Sequence, residues 1–365
     1  MHRAAPALYL PTDAEMLAIR KDSEKPLTFE KHLTVRASGL GSWAGENIFD
    51  AVTRIRGELG EPHISYLPDL PGRGYRASLL ARTIAVLEGL SADATASGWR
   101  ITSGFAAEGS SARSLLESDI NVLADVVGRE SGLSVSPLKI GLLGPLSLAA
   151  STYLTNGERL ISDPGARTDL AQSLMAGLDH LTRQLRQAVP GAPLVIQFDE
   201  PLLTPVAAGT IPTSSGYRTL RSVPRHELVA TLNELHGATA ALEAQPLVRT
   251  DLLALDPEVQ RVIATPVVDM TGSKTADWEP LAARLEAGGG LYLETADPIT
   301  RTASGDLARS LWKTWRDLGL HKALLNQMIL TERGDLATTD PARATTVLGH
   351  LTDTARALSE IAQEA

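Results

Sequence analysis

From residue 33 onward the chain alternates short apolar, β-branched runs with longer stretches in which apolar positions recur every three or four residues. The clearest strand signals span 137–144, 193–199, 262–269, 290–294 and 323–330, with weaker runs at 33–37, 97–102 and 245–249. Amphipathic helical patterns fill the intervals at 77–90, 111–127, 163–188, 225–242, 276–287, 304–319 and 341–362. Two of these begin at Asp163-Pro164 and Asp340-Pro341, where the carboxylate can cap free amides and proline suits the first turn. About eight strands, each followed by a helix, predict an α/β fold of one (β/α)8 TIM barrel over 33–365. Residues 1–32 carry less pattern, with Lys21, Asp22, Glu24 and Lys25 clustered, and are expected to form an N-terminal extension or cap.

Composition narrows the function classes. The 365 residues are 43% hydrophobic and 21% charged, a profile that buries a large core. A net charge of −9 argues against nucleic acid, whose phosphates call for a basic surface. No run approaches the ~18 apolar residues of a membrane span, and Pro6 and Pro11 interrupt the first apolar stretch, so a cytoplasmic protein with no membrane partner is expected. The chain has no cysteine, which removes disulfides, thiol nucleophiles and thiolate-bound metals. Its eight histidines form no pair at ligand spacing. His63, between Pro62 and Pro68, is the histidine with a functional alternative to packing.

Functional groups of a barrel sit where strands end. Gln197-Phe198-Asp199-Glu200-Pro201 closes an apolar strand with two consecutive carboxylates, one of which can face the mouth to bind an amine or move a proton. The structural alternative has Asp199 capping the turn and Glu200 in solvent. Ser38-Gly39-Leu40-Gly41-Ser42 follows the first strand, and its glycines and hydroxyl suit close approach to a carboxylate or phosphate; a ligand-free turn is the alternative. Gly144, Glu294 and Gln327 stand at further strand ends, and Trp99 packs either beside the pocket or in the core.

Taken in order, these motifs resemble the catalytic domain of cobalamin-independent methionine synthase, in the wider group that includes uroporphyrinogen decarboxylase. Ser38-Gly-Leu-Gly-Ser42 is similar to that family's Thr-Ile-Gly-Ser turn, Gly144-Pro-Leu-Ser147 to Gly-Pro-Val-Thr, and Gln197-Phe-Asp-Glu-Pro201 to Gln-Ile-Asp-Glu-Pro. The resemblance implies an amino-acid pocket in which Gly41 and Ser42 take the carboxylate and Asp199, beside Glu200, takes the ammonium. It also implies homocysteine S-methylation from a folate-type methyl donor, with zinc holding the thiolate on a His-x-Cys pair, a glutamate and a second cysteine. Here Gln245-Pro-Leu-Val-Arg-Thr-Asp251 and Leu330-Thr-Glu-Arg-Gly-Asp335 stand where those ligands fall, with Arg249 and Arg333 near the lost thiolates. No zinc or other cofactor is therefore expected. Three readings follow: a methionine-synthase-like methyltransferase with a degenerate zinc site, a binding protein for an amino acid or small anion, and a metal-independent lyase related to uroporphyrinogen decarboxylase.

Overall fold

The computed structural model describes residues 33–102, 105–130, 136–296 and 302–365. Residues 1–32, expected to be an extension or cap, lie outside the described residues, as do Asp297 and Pro298 after Glu294. The strands are β1 Arg36–Ala37, β2 Ser65–Leu67, β3 Ser91–Thr95, β4 Gly98–Thr102, β5 Leu138–Leu143, β6 Thr152–Tyr153, β7 Leu194–Asp199, β8 Ala244–Arg249, β9 Pro266–Asp269, β10 Leu291–Ala296 and β11 Met328–Glu332. Eight of them form one parallel sheet in the order β1-β11-β10-β9-β8-β7-β5-β2. Parallel bridges at Ser38↔Ile64 and Ser42↔Asp69 join its two ends, so the sheet curls into a TIM-barrel-like α/β fold.

Two apolar clusters follow from strand alternation. Ile64, Val195, Leu247, Val267, Tyr292 and Ile329 meet Leu40 inside the barrel, while their neighbours, such as Ile196, Val248, Val268, Leu293 and Leu330, pack outward against the helices. Asp163 and Asp340 cap the helices Pro164–Ala188 and Pro341–Glu364, each accepting a backbone N–H with proline in the first turn. No described helix is long and apolar enough to cross a membrane.

Some expected elements are placed differently. The run 97–102 belongs to a separate three-stranded sheet of β3, β4 and β6, and the barrel strand it was expected to supply is β2. With three residues between Pro62 and Pro68, β2 is too short to show a period. The runs 262–269 and 323–330 each begin outside a strand: Pro257–Val262 is helical, and a 3-10 helix spans Lys322–Gln327 before β11. Both runs are mostly apolar, and apolar content alone does not separate a buried strand from a buried helical turn.

Candidate functional site

The carboxyl ends of the barrel strands form one polar mouth over the apolar floor. In β7, Val195 lies in the floor and Ile196 and Phe198 face the helices, so Gln197 and Asp199 point inward above Val195. In β8 the same alternation sets Arg249 above Leu247, in register with Asp199. Asp269 and Glu294 rise above Val267 and Tyr292, also in register with each other.

A buried network ties these groups to the turn after β1. Lys139 of β5 is 1% exposed, and its ammonium donates to Gln197 Oε1 at 2.5 Å and to the Gly39 carbonyl. Gln197 Nε2 donates to the Leu40 carbonyl at 2.7 Å and to Asp199 Oδ1 at 2.8 Å. Glu332, at the end of β11, accepts from the Leu40 amide at 2.6 Å. Lys139 and Glu332 thus grip opposite sides of one peptide unit, and Gln197 couples that turn to Asp199. Burial pushes the Lys139 amine down and the Glu332 carboxyl up, with each group's charge opposing the other's shift.

The turn passes through Gly41 at φ 135°, a conformation that a side chain would strain. The Ser42 hydroxyl then donates to both oxygens of Asp69, at 3.3 and 3.2 Å. Backbone bonds from Asp69 to Gly41 and from Trp43 to Asp69 hold the pair together. Burial raises the Asp69 carboxyl, partly offset by nearby Arg82 and by the Ser42 bond.

Two adjoining cavities open here. The smaller, about 90 Å³, is lined by Ser42, Asp69, Asp199, Arg249, Glu332 and Asp335 together with Leu40, Gly141 and Leu79. The larger, about 550 Å³, shares Leu79, Asp199 and Arg249 and extends over Leu143, Pro201, Leu252, Leu253, Val267 and Val268. Arg249 is the only cationic residue lining either cavity among the described residues. Its Nε donates to Glu294 at 3.0 Å, which leaves the far end of the guanidinium toward the cavities. Burial pushes the Asp199 carboxyl up to about 6, against the opposing pull of Arg249, the Gln197 bond and Lys139.

Gly41, Ser42, Asp199, Arg249, Glu294 and Arg333 therefore stand at the mouth, whereas Glu200, Gly144, Trp99, Gln327 and His63 do not serve there. Glu200 is fully buried and accepts the Leu146 and Ser147 amides at 3.0 and 2.7 Å, capping the helix Pro145–Ser151. Neither the solvated position nor a ligand role fits it, because both oxygens are committed to orphan amides. Gly144 makes room for that carboxylate, since a Cβ on it would fall 2.2 Å from Glu200 Oε1. Trp99 is buried on β4, with its ring centroid 6.1 Å from that of Tyr75, and lines neither cavity. Gln327 precedes β11 at the amino end of the barrel, where its amide nitrogen can donate to the Leu285 and Gly289 carbonyls at 3.0 and 2.7 Å. His63 accepts the Ala37 amide on Nδ1 at 3.0 Å, which makes it a structural residue of the β1–β2 seam.

Asp69, Lys139 and Asp269 also face the mouth but were not among the expected site residues. Lys139 carried a usable signal, a lone charge at an inward position of the otherwise apolar Leu-Lys-Ile-Gly-Leu-Leu strand. Asp69 had none, because its strand is too short to assign.

The positions implied for zinc do not suit that ion. Leu247 is packed into the barrel floor, Arg249 pairs with Glu294, and Arg333 Nε donates to Asp269 at 2.8 Å. Two guanidinium groups occupy the neighbourhood where two thiolates would be needed, and they repel a divalent cation. Among the described residues no three His, Asp or Glu side chains group to hold a metal ion.

No protein-family model matches the sequence, and no curated protein matches it either. Among solved structures, a B12-independent methionine synthase from Shewanella sp. W3-18-1, in complex with selenomethionine, superposes with a TM-score of 0.56. It is 12% identical, over 91% of this chain and 100% of that one. A GH20 β-N-acetylhexosaminidase from Streptomyces coelicolor A3(2) is 12% identical over 89% of this chain and 64% of its own, with a TM-score of 0.43, which says nothing further. The likeness to the methionine synthase is one of fold: a distant TIM-barrel relationship.

Proposed function

We propose that the barrel mouth binds a zwitterionic α-amino acid, and that the protein does not perform zinc-dependent S-methylation of homocysteine. The observation that carries this reading is the pairing of Asp199 with Arg249, side by side in register on the wall common to both cavities. A carboxylate and a guanidinium at fixed spacing read the ammonium and the carboxylate of one ligand, and hydrogen bonds involving charged groups are worth ~1.5–3 kcal/mol each. Ser42 serves differently from the family's turn: its hydroxyl is committed to Asp69, and a ligand carboxylate beside it would face Asp69 and Asp335. The ligand's carboxylate therefore goes to Arg249, and Ser42 orients Asp69 toward the ammonium. The selenomethionine held by the Shewanella barrel belongs to the same ligand class.

Methyl transfer to homocysteine lacks a means of forming the thiolate, because a thiol with pKa near ~8.5 is only a few per cent ionised at neutral pH. A polycarboxylate, as the lyase alternative requires, would meet Asp69, Asp199, Glu332 and Asp335 against one arginine in the small cavity.

Calorimetric titration tests the reading. L-Methionine is expected to bind, whereas 2-hydroxy-4-(methylthio)butanoate, which lacks the ammonium, and 3-(methylthio)propylamine, which lacks the carboxylate, bind at least tenfold more weakly. Equal affinity for the hydroxy acid and the amino acid would remove Asp199 from ligand binding.

A further inference from the structure

Beyond the charged pair, the larger cavity has a chemistry of its own. Its wall is formed by Leu79, Leu143, Pro201, Leu252, Leu253 and Val267, contributed from consecutive strands and loops of the mouth. Most of its polar lining is already neutralised or peripheral: Glu294 is paired with Arg249, Asp269 with Arg333, and Asp251 is exposed at the rim. Leu253 is 39% exposed on the loop after β8, so a large apolar side chain faces the cavity with little covering it. Apolar surface concentrated in a concave site marks a place for an apolar ligand group.

We infer that this cavity receives the side chain of the bound amino acid and selects long, unbranched or bulky apolar side chains over short or acidic ones. The inference rests on the zwitterion reading, because Asp199 and Arg249 anchor the ligand's head on the wall that the two cavities share. With the ammonium drawn toward Asp69 and Asp199 in the 90 Å³ cavity, the Cα substituent has the 550 Å³ cavity as its remaining space. A cavity of that size accommodates far more than a methyl or ethyl group. A carboxylate terminus placed there would meet Asp251, Asp269 and Glu294 beside apolar walls, with Arg249 already engaged by the ligand's head, whereas each added methylene leaves water.

A homologous series measures this directly. L-2-Aminobutyrate, L-norvaline, L-norleucine and L-2-aminooctanoate are titrated calorimetrically into the full chain, with L-glutamate as the acidic comparison. Affinity is expected to rise about fourfold per added methylene, the factor that corresponds to ~0.8 kcal/mol for each buried CH2. L-Glutamate binds at least tenfold more weakly than norleucine. Leu253→Asp lowers affinity for 2-aminooctanoate at least tenfold more than for 2-aminobutyrate, and Leu253→Ser shows the same order without added charge. If the whole series binds with one affinity, or weakens with length, the cavity does not read the side chain, while the zwitterion site stands. If no member binds, the zwitterion reading fails and this inference falls with it.

Discussion

Asp199 and Glu200 are adjacent carboxylates with opposite duties, and their surroundings assign them. Asp199 keeps one oxygen on Gln197 and faces both cavities, while Glu200 is consumed by two amides. Burial pushes Asp199 up to about 6, so the stability linked to its neutral form is complete below the ordinary carboxylate range and is lost as pH rises through 6. Ligand binding has the opposite requirement, because an ammonium needs the ionised form. Affinity for L-methionine should be flat above pH 7 and fall about tenfold per pH unit below 6, as a calorimetric pH series would record. Asp199→Asn should abolish that binding yet leave the ligand-free protein more stable at pH 8, by about 1 kcal/mol in urea unfolding. Glu200→Ala, in contrast, strands the Leu146 and Ser147 amides and should cost about 2–4 kcal/mol. Lost affinity with unchanged stability in that variant would return Glu200 to the ligand.

At the scale of elements, the weakest part of the barrel is the seam where the chain begins it. β1 has two residues and β2 three, and they meet through isolated bridges. His63 supplements them by accepting the Ala37 amide, a role open only to the neutral ring. Burial lowers the His63 pKa, so the stability it contributes is present above about 6.5 and is lost as pH falls below that. His63→Ala should therefore cost about 1 kcal/mol at pH 8 and less at pH 5, read from urea midpoints at the two values. A larger cost at pH 5 would overturn this account. The seam also shows the limit of pattern reading, since strands this short carry too few residues for a period of two to emerge. The long elements were legible for the converse reason: β5 and β7 each run six residues, and the capped helices Pro164–Ala188 and Pro341–Glu364 exceed twenty.

For the whole molecule, hydrogen bonds and ion pairs tie the mouth together across the barrel. Lys139, Gln197 and Glu332 join the first strand's turn to the third, fourth and last strands of the barrel, while Arg249 pairs with Glu294 of β10 and Arg333 with Asp269 of β9. Prolonged dialysis against EDTA should leave both the melting temperature and amino-acid affinity unchanged. Stoichiometric zinc surviving gel filtration, with a fall in melting temperature on chelation, would contradict this.

By itself the sequence determined the alternation that builds the barrel, the capped helices, and the placing of Ser42, Asp199 and Arg249 at strand ends, because each depends on local period or on one residue's position in its own strand. It also excluded protein thiols as nucleophiles or metal ligands, since there is no cysteine. Only the tertiary structure decided what each mouth residue does. Ser42 turns to Asp69, 27 positions away, Glu200 to a helix 53 positions back, and Gln327 to the opposite end of the barrel. Those outcomes depend on which strands become neighbours when the sheet closes, and hydrogen-bond partners brought together by closure leave no mark in the local order of residues.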